Sequence, residues 1–294
     1  FGITLSSPKY RYYAYGHIAH VHGWWGNRMG LGWMMWELTS SPTWLGLMAF
    51  SLSMPVMLMA PLAGAVGDRH GHRRVAMLTG SIGCLISLTI GIAALAGFAS
   101  VPLLITLGVI QGTIFGFEFP SRQALIPQLV ERKNISAAIA FNATTFQLGT
   151  FLGPLLAGVV IVAFGGGAAV LLYAASTAWM VIMLGRIHVE PIARTGNLDT
   201  GLLADMAAGF RYIAGNQSLW IIFALMLGTG IMIRPAIDLM PGFADKVFGR
   251  GAEGLAILNA AAGFGSFIAA AILGYRGRTQ GLSLIMMGGA ILGG

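Results

Sequence analysis

Few side chains in this sequence can do chemistry, and several of them stand where charge is costly. His17, His20, Trp24, Asn27 and Arg28 follow one another at steps of three, four, three and one, which keeps them on one face of a helix. Gln111, Phe115, Glu118 and Arg122 share a face in the same way, and a four-residue step brings Glu118 within reach of Arg122. Arg234 and Asp238 repeat that step. All of them, and Asn142, lie within or at the end of long apolar runs. In hydrocarbon an ionised side chain costs roughly 2.5–3.5 kcal/mol on insertion scales, so it is kept for a function or held by a partner. The chemistry open to such groups is the binding and movement of charge: a guanidinium attracts anions, and a buried carboxyl takes up and releases protons. The sequence has no His-Glu-x-x-His, no Walker sequence and no serine-nucleophile motif. An enzyme, a metal site and a cofactor are therefore not expected.

The elements that must position these groups follow from composition. Of 294 residues, 56% are hydrophobic and 9% charged, with a mean hydropathy of +0.77; soluble domains carry about 25% charged residues. The apolar residues gather in runs of about 20, the length that crosses a hydrocarbon core. Such runs must be helices, because irregular backbone and open sheet edges cannot face lipid. Eight full spans are expected, over 12–38, 43–66, 75–98, 101–121, 136–163, 168–187, 217–240 and 253–274, with a ninth beginning over 282–294. Short joints at Ser40-Ser41-Pro42-Thr43 and Gly165-Gly166-Gly167 force neighbouring spans to run antiparallel. The polar stretch 188–216 separates an N-terminal half of six spans, 1–187, from the start of a second half, 217–294. Thirteen of the 17 Lys and Arg fall on one side of the spans, which the positive-inside rule makes cytoplasmic. The N-terminus and the 188–216 linker share that side. The net charge of +7 is thus topological, and no nucleic-acid partner is expected. The chain opens on Phe1 and stops at Gly294 within an apolar run, so further sequence is expected at both ends, including three to four more spans.

The sharpest motif joins spans 2 and 3: Gly64-Ala65-Val66-Gly67-Asp68-Arg69-His70-Gly71-His72-Arg73-Arg74. Gly64 would let span 2 approach another helix closely, and Gly71 permits a tight turn. Asp68 is an anion placed to meet a helix N-terminus or an arginine. Arg69, Arg73 and Arg74 suit an anionic inner leaflet. The loop resembles the signature Gly-x-x-x-Asp-Arg-x-Gly-x-Arg-Arg of the major facilitator superfamily. In span 5, the stretch Gly149-Thr150-Phe151-Leu152-Gly153-Pro154-Leu155-Leu156-Ala157-Gly158 is similar to the Gly-Pro motif that exporters of this superfamily carry in helix 5. Gly149, Gly153 and Ala157 would make a smooth packing face, and Pro154 can kink the helix. The stretches 38–46, 121–127 and 240–244 are similar to the branch holding enterobactin-type siderophore exporters and related drug and lysophospholipid carriers. The resemblance runs from Tyr10 to Arg278. It departs in helix 4, where many exporters place an arginine three residues before Gln-Gly. Here the pair is Gln111-Gly112 and the position is Gly108, so a proton route through that arginine is not carried over.

The resemblance implies an all-α polytopic membrane protein of two related six-helix halves, the second incomplete here. It implies a small-molecule substrate held near the midplane and moved by rocking of the halves. A gate-latch role follows for Asp68, Arg69 and Arg73. Proton-coupled export (an antiporter) from a bacterial inner membrane is expected, by a monomer with a cytoplasmic N-terminus and only the bilayer, protons and substrate as partners. Arg28 and Arg234 would face each other at similar depth and attract an anionic or catecholate-like substrate, with Asn27, Gln111 and Asn142 around it. In the other reading they hold helices together, Arg234 through Asp238 and Arg28 through Glu37. Glu118 and Asp238 are the proton-coupling candidates, unless Glu118 serves only Arg122. His17 and His20 are expected at the cytoplasmic interface. Uptake or lysophospholipid flipping by the same fold remains an alternative, with a membrane sensor or polytopic enzyme behind it.

Overall fold

The computed structural model describes residues 7–189 and 237–276, with isolated positions between 211 and 228. Helix α1, Pro8–Thr39, opens on a proline whose fixed φ suits the first turn. It stops at Ser40, whose left-handed φ of 46° turns its N–H back to the Trp36 carbonyl at 2.7 Å. Helices α2 (Pro42–His70), α3 (His72–Leu95) and α4 (Val101–Leu129) follow. A 3-10 turn, Arg132–Asn134, leads into α5, Ile135–Gly185. After residue 236 come one helical turn, Met240–Gly242, a π-turn, Phe243–Val247, and α6, Gly251–Arg276. Among the described residues every regular element is helical. The expected linker 188–216, most of the seventh span, the ninth span 282–294 and Arg234 lie largely or wholly outside the described residues.

Helix α5 is two arms. Gly165 has φ 82° and ψ 170°, a backbone conformation that a side chain makes costly. The directions of the arms can be read along α1. On the first arm Gly149 and Gly153 meet Val21 and Trp25, so residue numbers rise together. On the second, Gly16, Gly26 and Gly30 of α1 meet Met180, Ala169 and Gly166, so they run opposite. The chain therefore reverses at Gly165, where the joint between spans 5 and 6 is expected. By the same reading α6 runs antiparallel to the first arm, with Ala256 against Gly158 and Gly263 against Thr150 and Phe151.

Helix α1 thus lies between the two arms of α5. Helix α2 packs on α4 through Gly108, Gly112 and Gly116, and α3 lies between α4 and the second arm. One apolar core gathers Leu31, Met35, Trp36, Met48 and Leu104; another, toward the opposite end of α1, gathers Tyr10, Tyr13, Leu125, Leu129 and Leu184. The polar groups of α1 lie between these cores. Apolar side chains also cover the outside: Met57 and Phe98 are more than three-quarters exposed, with Leu78, Leu85, Val159 and Phe164 close behind. In water such a surface would associate; against acyl chains it is the natural one. Helices α2, α3, α4 and α5 are long and apolar enough to cross a membrane. Helix α1 falls short on hydropathy because it carries polar residues, of which His17, His20 and Asn27 are buried in the bundle. Helix α4 runs past the expected end at 121 to Leu129, because Ser121 and Arg122 are buried by packing instead of marking the water boundary.

Candidate functional site

Two cavities meet at Arg28, about 17 Å short of the end of α1 at the helical rise. The first lies between Trp24, Asn27 and Arg28 of α1, Val56 of α2, Gln111 and Phe115 of α4 and Tyr173 of α5, and holds about 670 Å³ counting its open mouth. The second runs from Arg28 and Gly32 to Asp238, Pro241 and Asn259, about 500 Å³ on the same measure. The wall of the first is aromatic. Trp24 stacks on Phe115 at 6.1 Å, and Phe115 on Phe119 at 5.7 Å. The Arg28 guanidinium lies 5.9 Å from the centre of the Trp24 ring, a cation–π arrangement. Asn27 and Gln111 are mostly spent on each other: Asn27 Nδ2 donates to Gln111 Oε1 at 3.0 Å, and Gln111 Nε2 donates to Ser87 Oγ at 2.9 Å.

Arg28 donates to Asp238 Oδ1, and each side chain of this pair is 13% exposed. The expected pairing of Arg28 with Glu37 is not made. Nine residues turn Glu37 about 180° round the helix, and it accepts instead from Trp33 Nε1 at 2.8 Å. Further along α1, Trp36 Nε1 donates to Asp245 Oδ2 at 3.0 Å. The face of α1 through positions 28, 32 and 36 thus docks on the segment from Asp238 to Asp245.

A second polar cluster is closed to the outside. Glu118 Oε1 lies 3.3 Å from Arg122 Nε and 3.5 Å from His20 Nε2. These are ion-pair distances without the angles of hydrogen bonds. His20 Nδ1 is 3.4 Å from Thr177 Oγ1, and its ring is 5.4 Å from that of Tyr173. His17 stacks on Tyr13 at 5.8 Å. Both histidines are buried, so they do not stand at a solvated interface; α4 and the two arms of α5 close over them. Asn142 lies in this region and lines neither of the two cavities described above. It is buried and donates to Gln123 Oε1 at 2.9 Å.

The loop between α2 and α3 turns at Gly71, φ 88°. Asp68, exposed, accepts from His72 at 3.1 Å, and among the described residues neither an arginine nor a backbone N–H donates to it. Among the described residues nothing lies within 4 Å of a Cβ on Gly64; Gly67 is the crowded glycine, against the His72 ring. Arg69 and Arg74 are exposed. Arg73 Nε and Nη2 donate to the carbonyls of Leu184 and Gly185 at 2.9 and 3.0 Å. They cap the negative end of α5. Arg73→Ala is expected to lose about 1–3 kcal/mol, read as a lower thermal midpoint of the full-length protein in detergent; an unchanged midpoint would discard this tie. In α5, Pro154 is buried inside helical backbone and the break falls at Gly165 instead. Gly149 and Gly153 serve contacts with α1, and Gly158 serves α6.

Sequence reasoning missed the glycines of α1 at 16, 23, 26 and 30 and those of α4 at 108, 112 and 116, although their spacing was there to see. It also missed Trp36–Asp245, for which no local signal exists. At Gly108 a Cβ would meet Ser51 Oγ at 2.8 Å and Met48, so α2 fills the place where an arginine would need room.

A bundle of long apolar helices around a buried polar centre and open cavities defines a polytopic membrane protein. The chain belongs to the major facilitator superfamily: residues 5–292 match the family described as transmembrane secretion effector. It is 23% identical over 255 residues to a staphyloferrin A transporter of Staphylococcus aureus, covering 85% of this chain and 62% of that protein. It is 24% identical over 252 residues to the enterobactin exporter EntS of Shigella boydii, covering 85% and 60%. It is 29% identical over 189 residues to a multidrug efflux pump PmrA homolog of Lactococcus lactis, covering 63% and 43%. The chain spans less than two thirds of the length of each.

Proposed function

We propose that the full-length protein is a proton-coupled exporter of small aromatic anions, working by alternating access between the halves 1–187 and 217 onward, joined by the 188–216 linker. The observation that carries this reading is the cavity at Arg28. An aromatic wall of Trp24 and Phe115 and one guanidinium suit a flat anion, and polar Asn27 and Gln111 line the same space. Arg234 completes the site from the second half. Glu118 and Asp238 are the carboxyls that exchange protons. Asp68, Arg69 and Arg73 form the gating loop on the cytoplasmic side, with the N-terminus, in a bacterial inner membrane. The protein acts as a monomer. The relatives named for siderophore transport and drug efflux support the substrate class and the direction.

The test is flux in proteoliposomes of the full-length protein. Naphthalenesulfonate is a suitable probe: it is aromatic and permanently anionic, so its own protonation moves no protons. A pH gradient is expected to drive its accumulation against its own gradient, with protons moving the opposite way. Flux no faster than in protein-free vesicles would end this reading for aromatic anions. Protons and probe moving together would make the protein an uptake carrier.

A further inference from the structure

Glu118, His20 and Arg122 line neither cavity, and many polar atoms around them are unsatisfied. His20 Nε2, both nitrogens of His17, Arg122 Nε and Nη1, the Ser121 hydroxyl and Asn142 Oδ1 are all buried without a hydrogen-bond partner. The Asn142 main chain lies beside the His17 ring, but without hydrogen-bond geometry. His20 is 1% exposed, Glu118 2% and Arg122 4%. Folded proteins rarely leave buried polar atoms unpaired, and so many in one place mark a spot kept open for something small and polar.

The charges say what that is. With both imidazoles neutral, Glu118 and Arg122 balance, and one carboxylate oxygen is already shared between Arg122 and His20. If Nδ1 of His20 donates to Thr177 Oγ1, Nε2 presents a lone pair toward Glu118. Resting on the proton-coupled reading above, we propose that His20 and Glu118 bind one transported proton between Nε2 and Oε1, and that this proton displaces Arg122 as the counter-charge of Glu118. The balance is simple. One proton adds to the His20 lone pair, no bond breaks, and the site gains one positive charge. That charge repels Arg122, which lies one turn nearer the end of α4. Among the described residues the other groups facing the pair are Tyr13 and His17 on α1 and Tyr173 on α5, with Cys84 of α3 behind Tyr173; none of these is an anion at neutral pH that could hold Arg122 in place. Proton loading thus works on the α1–α4 contact, next to Trp24 and Phe115 of the cavity.

The experiment uses full-length protein with isotope-labelled histidine. The ring signal of His20, assigned by its loss in His20→Gln, is followed by nuclear magnetic resonance between about pH 8 and 5, the range in which histidine switches. Wild-type His20 is expected to gain a proton as pH falls, with a midpoint that moves down in Glu118→Gln. A His20 that stays neutral throughout overturns the proposal, as does a midpoint indifferent to Glu118→Gln. In vesicles, His20→Gln and Glu118→Gln are expected to cut pH-driven naphthalenesulfonate flux about tenfold and to cut exchange at equal pH by less. Equal loss of both, in protein with a normal size-exclusion profile, overturns the coupling role. If His20 titrates as expected but wild-type vesicles move no probe, the exporter reading fails while the proton site stands.

Discussion

Gly30→Leu is expected to prevent the bundle from assembling, whereas Gly46→Leu, sixteen positions on, is expected to be nearly silent. A Cβ on Gly30 would stand 2.6 Å from the Gly166 carbonyl oxygen and 3.2 Å from Ala169 and Val170. The nearest obstacle is backbone, and that backbone is pinned beside the Gly165 turn. A leucine there must push α1 off the second arm of α5, and the contacts at Gly16, Gly23 and Gly26 lie along the same line. In lipid no hydrophobic gain makes up for the lost approach, since acyl chains are as apolar as the helices. Overpacking in cores costs about 1–3 kcal/mol where side chains can give way; here the cost should exceed that range. Gly46 is exposed on α2, and among the described residues nothing lies within 4 Å of its Cβ, so a leucine there has room and favours the helix. Thermal unfolding and size exclusion of the two full-length variants in detergent decide the matter. Similar midpoints for both would mean that the glycine line along α1 does not hold the fold.

That same line shows where the sequence was legible. Run length and charge located the five helices before residue 190, and the Gly-rich joint at 165–167 located the reversal within α5. Contacts inside one helix were legible too: Glu118 and Arg122 are four apart and meet at 3.3 Å. What the sequence hid lies between helices. Asp238 reaches Arg28 across 210 positions, and Trp36 reaches Asp245 across 209; no spacing rule spans such distances. The histidines of α1 read as interfacial because they sit near the start of a span. Their depth in the bundle depends on α5 folding back at Gly165, which buries that face of α1. Gly64 is a different case: its motif position implies a neighbour, and the described residues place none there.

The largest effect on transport is expected at Arg28, and a charge swap separates the two roles open to it. Arg28 and Asp238 are each 13% exposed in their side chains. Removing one partner of a buried pair commonly costs about 3–5 kcal/mol, because the other charge is left bare. Arg28→Ala and Asp238→Ala should therefore each lower the thermal midpoint and weaken transport, which by itself says nothing about substrate. The double variant Arg28→Asp with Asp238→Arg puts both charges back with their positions exchanged. If the pair only ties α1 to the second half, the swap restores stability and transport together. If Arg28 also draws the anion into the aromatic cavity, the swap restores the midpoint but not the binding. The carboxylate would then stand over Trp24, where an anion is repelled by the negative face of the ring. The expected result is a midpoint near wild type with naphthalenesulfonate affinity down at least about tenfold, or roughly 1.4 kcal/mol. Wild-type affinity in the swapped protein would leave Arg28 as a structural tie and move the search for the anion site to Arg234.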